Sequence, residues 1–121
     1  MTKIRSFEDF VASVGAHLTR DELATGVAYA ALPGKPFARG TRLQFPGTVI
    51  RVPAESSLAF IDRQPMANWG HPARYLLVGH ENGKTWSFET RLPPFQPGGN
   101  LRWRLIYKAP SVPDGAAEPT R

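Results

Sequence analysis

The chain has no cysteine. Disulfides, thiolate metal sites and cysteine nucleophiles are therefore excluded. It also has no apolar run of membrane-spanning length. Its first residues, Met1-Thr2-Lys3-Ile4-Arg5, are not followed by the hydrophobic core of a signal peptide, so the expected location is the cytoplasm. No G-x-G-x-x-G and no P-loop occur. Gly98-Gly99 precedes a strand-like segment rather than a helix, which reads as a turn and not as a phosphate cradle. No serine lies in a nucleophile-elbow sequence. No internal repeat or low-complexity run is present, and acidic residues are in deficit, 10 against 15 basic, for a net charge of +5.

What the chain does have is proline and glycine, 12 and 11 in 121 residues. That is too much for a helical bundle, and the segments between them are too periodic for disorder. Their length suits one domain with its own core.

The clearest local signal runs from Pro72 to Leu92. Asn82-Gly83 is the pair favoured in a two-residue type I′ hairpin turn, because both central residues need φ > 0. With that loop, Gly79 faces Trp86, Leu77 faces Phe88 and Tyr75 faces Thr90. One face then carries Tyr75, Leu77, Trp86 and Phe88, with Gly79 leaving room beneath Trp86. Other strands are expected at 42–45, 48–52, 57–62 and 100–108, with Val27, Tyr29 and Ala31 alternating before the break at Pro33-Gly34.

Ser6 caps a helix over about 6–18, whose stripe is Phe7, Phe10, Val11, Val14 and Leu18. Thr19 with Glu22 marks a second, short helix ending at Gly26. The expected fold class is mainly β: a small antiparallel β-sandwich or partly open barrel, with the N-terminal α-helix over an edge or open end. Residues 1–108 form the globular domain, and 109–121, poor in large apolar residues, form a disordered tail.

Chemistry has three candidate places. The loop from Asp62 to Pro72 is long for a compact β connection. It gathers Met66, Asn68, Trp69 and His71: a thioether, an amide, a stacking ring and an imidazole. Its two readings are a recognition loop anchored by Trp69 and a plug for the end of the sandwich. If the protein is an enzyme, Asp62 and His71 supply an oriented base. A metal site is not expected, since His71 and His80 lie at opposite ends of one strand, roughly 30 Å apart at 3.3 Å per residue. No cofactor is expected either. The third place is the last strand, where Arg102, Arg104 and Lys108 share a face by alternation.

The functional expectation is non-catalytic binding of another protein or a peptide, acidic ones included, as an accessory or assembly module. A small enzyme centred on His71 is the alternative, and an RNA or single-stranded DNA binder on the basic face is the second alternative. Strand aromatics opposite the basic face weigh against the latter.

Overall fold

A computed structural model describes residues 2–32, 35–95 and 101–118. Two helices lead the chain, α1 (Phe7–His17) and α2 (Arg20–Thr25). Both begin where the caps predict: Ser6 accepts from the Asp9 N–H, and Thr19 and Glu22 close a reciprocal capping box. Among the described residues seven strands follow: β1 (Val27–Leu32), β2 (Arg42–Phe45), β3 (Thr48–Arg51), β4 (Ser56–Asp62), β5 (Ala73–Gly79), β6 (Thr85–Thr90) and β7 (Arg102–Lys108). The five-stranded sheet runs β6-β5-β4-β1-β7, and β2-β3 form a separate hairpin. Every pairing is antiparallel. The main sheet does not close into a barrel, and the fold is mostly β and sandwich-like, as the strand pattern predicts.

The main sheet is covered on both sides, so β4 and β5 are buried along their whole length. On one face Tyr29, Leu58, Phe60, Tyr75 and Leu77 pack with Leu43 and Ile50 of the small hairpin. Phe45 stacks on Tyr75 with ring centroids 4.5 Å apart, and Thr48 donates to Thr90 across the two sheets. On the other face Ala28, Ala30, Ala59, Ile61, Leu76 and Val78 receive Ile4, Phe10, Val14 and Leu18. The helix therefore lies on a sheet face, not over an edge or open end as expected. The small residues of β1 and β4 on that side make room for it.

Two other expectations need correction. The β5–β6 pairing sets Tyr75 opposite Phe88 and Leu77 opposite Trp86, two residues away from the expected register. Gly83 has φ +74°, but no non-glycine residue among those described has positive φ, so Asn82 cannot sit in a type I′ turn. Instead Gly79 and Lys84 close a four-residue loop, with the Gly83 N–H donating to the Gly79 carbonyl. A slip of two preserves side-chain parity. Tyr75, Leu77, Trp86 and Phe88 thus share a face as expected, and Trp86 lies against Gly79, where an added Cβ would meet its ring at 3.2 Å.

The second correction concerns the C-terminus. Residues 109–118, expected to be a disordered tail, pack on the hairpin-side core. Ala109, Val112 and Ala117 are buried there, and the Tyr29 hydroxyl donates to the Ala117 carbonyl at 2.8 Å. A short 3₁₀ turn, Asp114–Ala117, delivers Ala117. Small side chains suffice because the site is already walled by β1 and β7. Residues 119–121, the expected break at Pro33-Gly34 and the expected strand start at Asn100 lie outside the described residues. Among the described residues, no helix is long and apolar enough to cross a membrane.

Candidate functional site

The loop from Asp62 to Pro72 is built around one buried imidazole. His71 follows the long turn and precedes β5, whose Ala73 pairs with Asp62 at the end of β4. That pairing brings the two ends of the loop together. His71 Nε2 lies 2.7 Å from Asp62 Oδ1, and both side chains are buried. His71 Nδ1 lies 2.7 Å from the Asn68 carbonyl oxygen. A carbonyl only accepts, so Nδ1 carries a hydrogen, and Nε2 faces the carboxylate. Asp62 Oδ1 also accepts from the Gln64 N–H at 2.9 Å. Asp62 and His71 come together as the sequence suggests, and loop backbone also engages His71 Nδ1 and Asp62 Oδ1. No ring nitrogen is left to take a proton from a substrate, which removes the geometric basis for His71 as a general base.

The same arrangement supports Trp69. Its indole stacks on the His71 ring, with centroids 4.4 Å apart and planes 16° from parallel. Its other aromatic neighbour is Phe60 of the core, at 6.1 Å. Trp69 remains 41% exposed and Met66 69% exposed. Asn68 is exposed too, and its backbone, not its amide, holds the histidine. Gly70 takes φ +100° and donates to the Arg91 carbonyl, so a left-handed residue turns the chain between the two rings. The plug reading fails in part: one face of the indole is covered and the rest meets solvent.

The basic strand face does not hold together. Between Ala28 and Tyr29 the β1–β7 register shifts by one residue: Ala28 pairs with Tyr107 and Tyr29 with Leu105, leaving Ile106 as a bulge. A bulge inverts parity beyond it. Arg102 and Arg104 pair with Leu32 and Ala30 and lie on the helix side, where the Arg104 guanidinium sits 5.1 Å from the centre of the Phe7 ring. Lys108 pairs with Val27, a residue of the opposite core. Its ammonium donates to the Val112 carbonyl at 2.5 Å and lies 3.5 Å from Asp114. The three cations expected on one face are thus divided between two.

A charged cluster missed by sequence reasoning lies behind the loop. Glu22 of the capping box is 1% exposed. Its carboxylate accepts from the Thr19 N–H, from Arg63 Nε at 3.0 Å, and twice from Arg74 at 2.8 Å. Arg63 continues to both oxygens of Glu89 at 3.1 Å, and Arg74 also reaches the His17 carbonyl and Ser87. Burial alone would raise the Glu22 carboxyl. The Arg74 and Thr19 hydrogen bonds, with the charges of Arg74 and Arg63, hold it below the ordinary glutamate value instead. The signal available in sequence was Thr19-x-x-Glu22. Nothing local says that the same carboxylate also anchors β5.

A second histidine pair was missed as well. His80 Nε2 lies 2.6 Å from Ser57 Oγ. The two residues share the helix-side face once β4 and β5 are aligned with Ser57 opposite Val78. Comparison with protein-family models, with curated proteins and with solved structures finds no match.

Proposed function

We propose that the chain binds another protein or a peptide through the loop from Asp62 to Pro72, with Trp69 as anchor and Met66 beside it. The supporting observation is that Trp69 is partly exposed yet fixed, stacked on an imidazole whose two nitrogens are themselves tied. An exposed indole on a rigid seat loses little entropy on binding, and tryptophan is the residue type most enriched at interface hot spots. Met66 adds an adaptable apolar contact. The saturation of His71 favours recognition over acid–base catalysis at this loop. The division of Arg102 and Arg104 from Lys108 weakens the nucleic-acid alternative, which needs a continuous cationic track.

The test is selection of displayed peptides on the immobilised full chain, followed by affinity measurement against Trp69→Ala. Loss of a hot-spot tryptophan is expected to cost about 2 kcal/mol, roughly 30-fold in affinity, with the melting temperature shifted by only a few degrees. Selected peptides that bind Trp69→Ala as well as the parent would overturn the assignment.

A further inference from the structure

The chain contains a serine–imidazole pair in a cavity remote from the aromatic loop. Ser57 lies on β4, 8% exposed, with its hydroxyl 2.6 Å from His80 Nε2. His80 is held from both sides of its backbone. Its N–H donates to the Glu55 carbonyl at 2.9 Å, and its carbonyl accepts from Ile4 at 2.8 Å. The backbone that carries the imidazole is therefore fixed by the chain just after β5, the bend leading into β4 and the N-terminal segment together.

Both residues line a cavity of about 250 Å³ between the sheet and the start of α1. Phe7 and Phe10 from the helix, with Pro36, supply apolar wall, and Arg5 brings a cation to the same space. The Arg104 guanidinium, 5.1 Å from the Phe7 ring centre, adds positive potential near that wall. The first turn of α1 also faces this space through Ser6 and Phe7. Ser6 accepts from the Asp9 N–H with its hydroxyl and from the Phe10 N–H with its carbonyl, which leaves the Phe7 and Glu8 N–H groups of the first turn as donors.

The contrast with His71 decides what the pair can do. His71 has acceptors on both nitrogens and a ring capped by Trp69. The polar partner of His80 Nε2 is a hydroxyl, the pairing in which an adjacent imidazole activates serine as a nucleophile. We propose that Ser57 and His80 are the nucleophile and general base of a second site, one that takes small carboxylic esters with a short apolar acyl group. The cavity is below the usual range for drug-sized ligands, which limits the acyl group to a few carbons.

In the reaction, Ser57 Oγ forms a bond to the ester carbonyl carbon as its proton passes to His80 Nε2. The carbonyl oxygen gains negative charge, for which Arg5 and the helix N–H groups are the available donors. The bond to the alcohol oxygen then breaks, and His80 returns the proton to that oxygen. Water, deprotonated by His80, attacks the acyl-serine, releases the carboxylic acid and restores Ser57. No oxidant, metal or further co-reactant enters the balance.

The experiment uses a fluorophosphonate probe on the full chain, with the adduct located by peptide mass spectrometry. The probe requires the same activated hydroxyl: Ser57 Oγ bonds to phosphorus, fluoride leaves, and the serine proton goes to His80. The expected result is one adduct, on Ser57, absent in Ser57→Ala and formed at least about 100-fold more slowly in His80→Asn. Absence of an adduct on Ser57 of the parent chain overturns the proposal, whether or not the variants fold. So does labelling at an unchanged rate in His80→Asn with a native circular dichroism spectrum. Peptide binding by the Trp69 loop is untouched by either outcome.

Discussion

The indole of Trp69 lies face to face on the imidazole of His71, 4.4 Å between ring centres, and only the indole reaches solvent. This stack divides the loop into a buried polar half and an exposed apolar half. The two halves should respond differently to substitution.

Trp69→Ala removes an aromatic pair from a partly exposed site and is expected to cost about 1 kcal/mol of stability. His71→Ala leaves the Asp62 carboxylate buried without its partner and is expected to cost about 3 kcal/mol or more. Urea denaturation of both variants checks the order. A Trp69→Ala variant less stable than His71→Ala would show that the ring serves the core and not a partner.

Glu22 should set the acid limit of the fold. Its carboxyl is held below the ordinary glutamate value, so the unfolded chain binds that proton first as pH falls. Its stabilisation is therefore present above about pH 4.3 and is lost as pH drops through the lower folded value. Glu22→Gln is expected to lose roughly 3–5 kcal/mol at neutral pH, because Arg74 stays buried without its counter-charge. It should also flatten the dependence of melting temperature on pH below 5. A Glu22→Gln curve parallel to the parent's would contradict this.

Truncation after Lys108 should destabilise the protein. It uncovers the surface beneath Ala109, Val112 and Ala117 and leaves the Tyr29 hydroxyl without its acceptor. A loss of several kcal/mol corresponds to a fall in melting temperature on the order of 10 °C or more. A truncated chain that melts with the parent would return these residues to the status of a tail.

Tyr29 and Tyr75 offer a matched pair. Burial pushes both hydroxyls well above the ordinary tyrosine value, the Asp62 charge adding to the effect at Tyr29. Tyr29 has an acceptor. Tyr75 has none. Tyr29→Phe should cost about 1 kcal/mol, and Tyr75→Phe should be neutral or stabilising by about 1 kcal/mol. Thermal melts of the two variants separate the cases.

At the hairpin tip, Gly83→Val should cost about 2 kcal/mol or more, from positive φ and from a Cβ that would fall 2.7 Å from the Thr2 carbonyl oxygen. Trp86 is half-buried, so Trp86→Ala should cost about 2 kcal/mol, less than the ~3–5 of a fully enclosed ring. A melting temperature unchanged in Gly83→Val would refute the clamp between Thr2 and the tip.

The helix caps, the bounds of β2 and the apolar faces of β5 and β6 were legible because each depends on neighbours a few residues away. Ser6 with Asp9 and Thr19 with Glu22 are complete within one turn. The hairpin register was misread because Asn82-Gly83 is compatible with two loop lengths. The face assignment survived because those lengths differ by an even number. Glu22 with Arg74, 52 residues apart, and Ser57 with His80, 23 apart, needed the strand alignment first. The tail was misjudged on composition: Ala109 and Ala117 fill space that larger residues elsewhere had already enclosed.

The bulge at Ile106 reaches beyond its own strand. By inverting the order of faces it sends the chain after Lys108 to the hairpin side of the sheet, where Val112 and Ala117 have a place to lodge. Were Ile106 instead paired with Ala28 in a regular ladder, Lys108 would fall opposite Gly26 and turn toward the helices. The pairing of that one residue, more than its identity, decides which face of the sheet Lys108 takes.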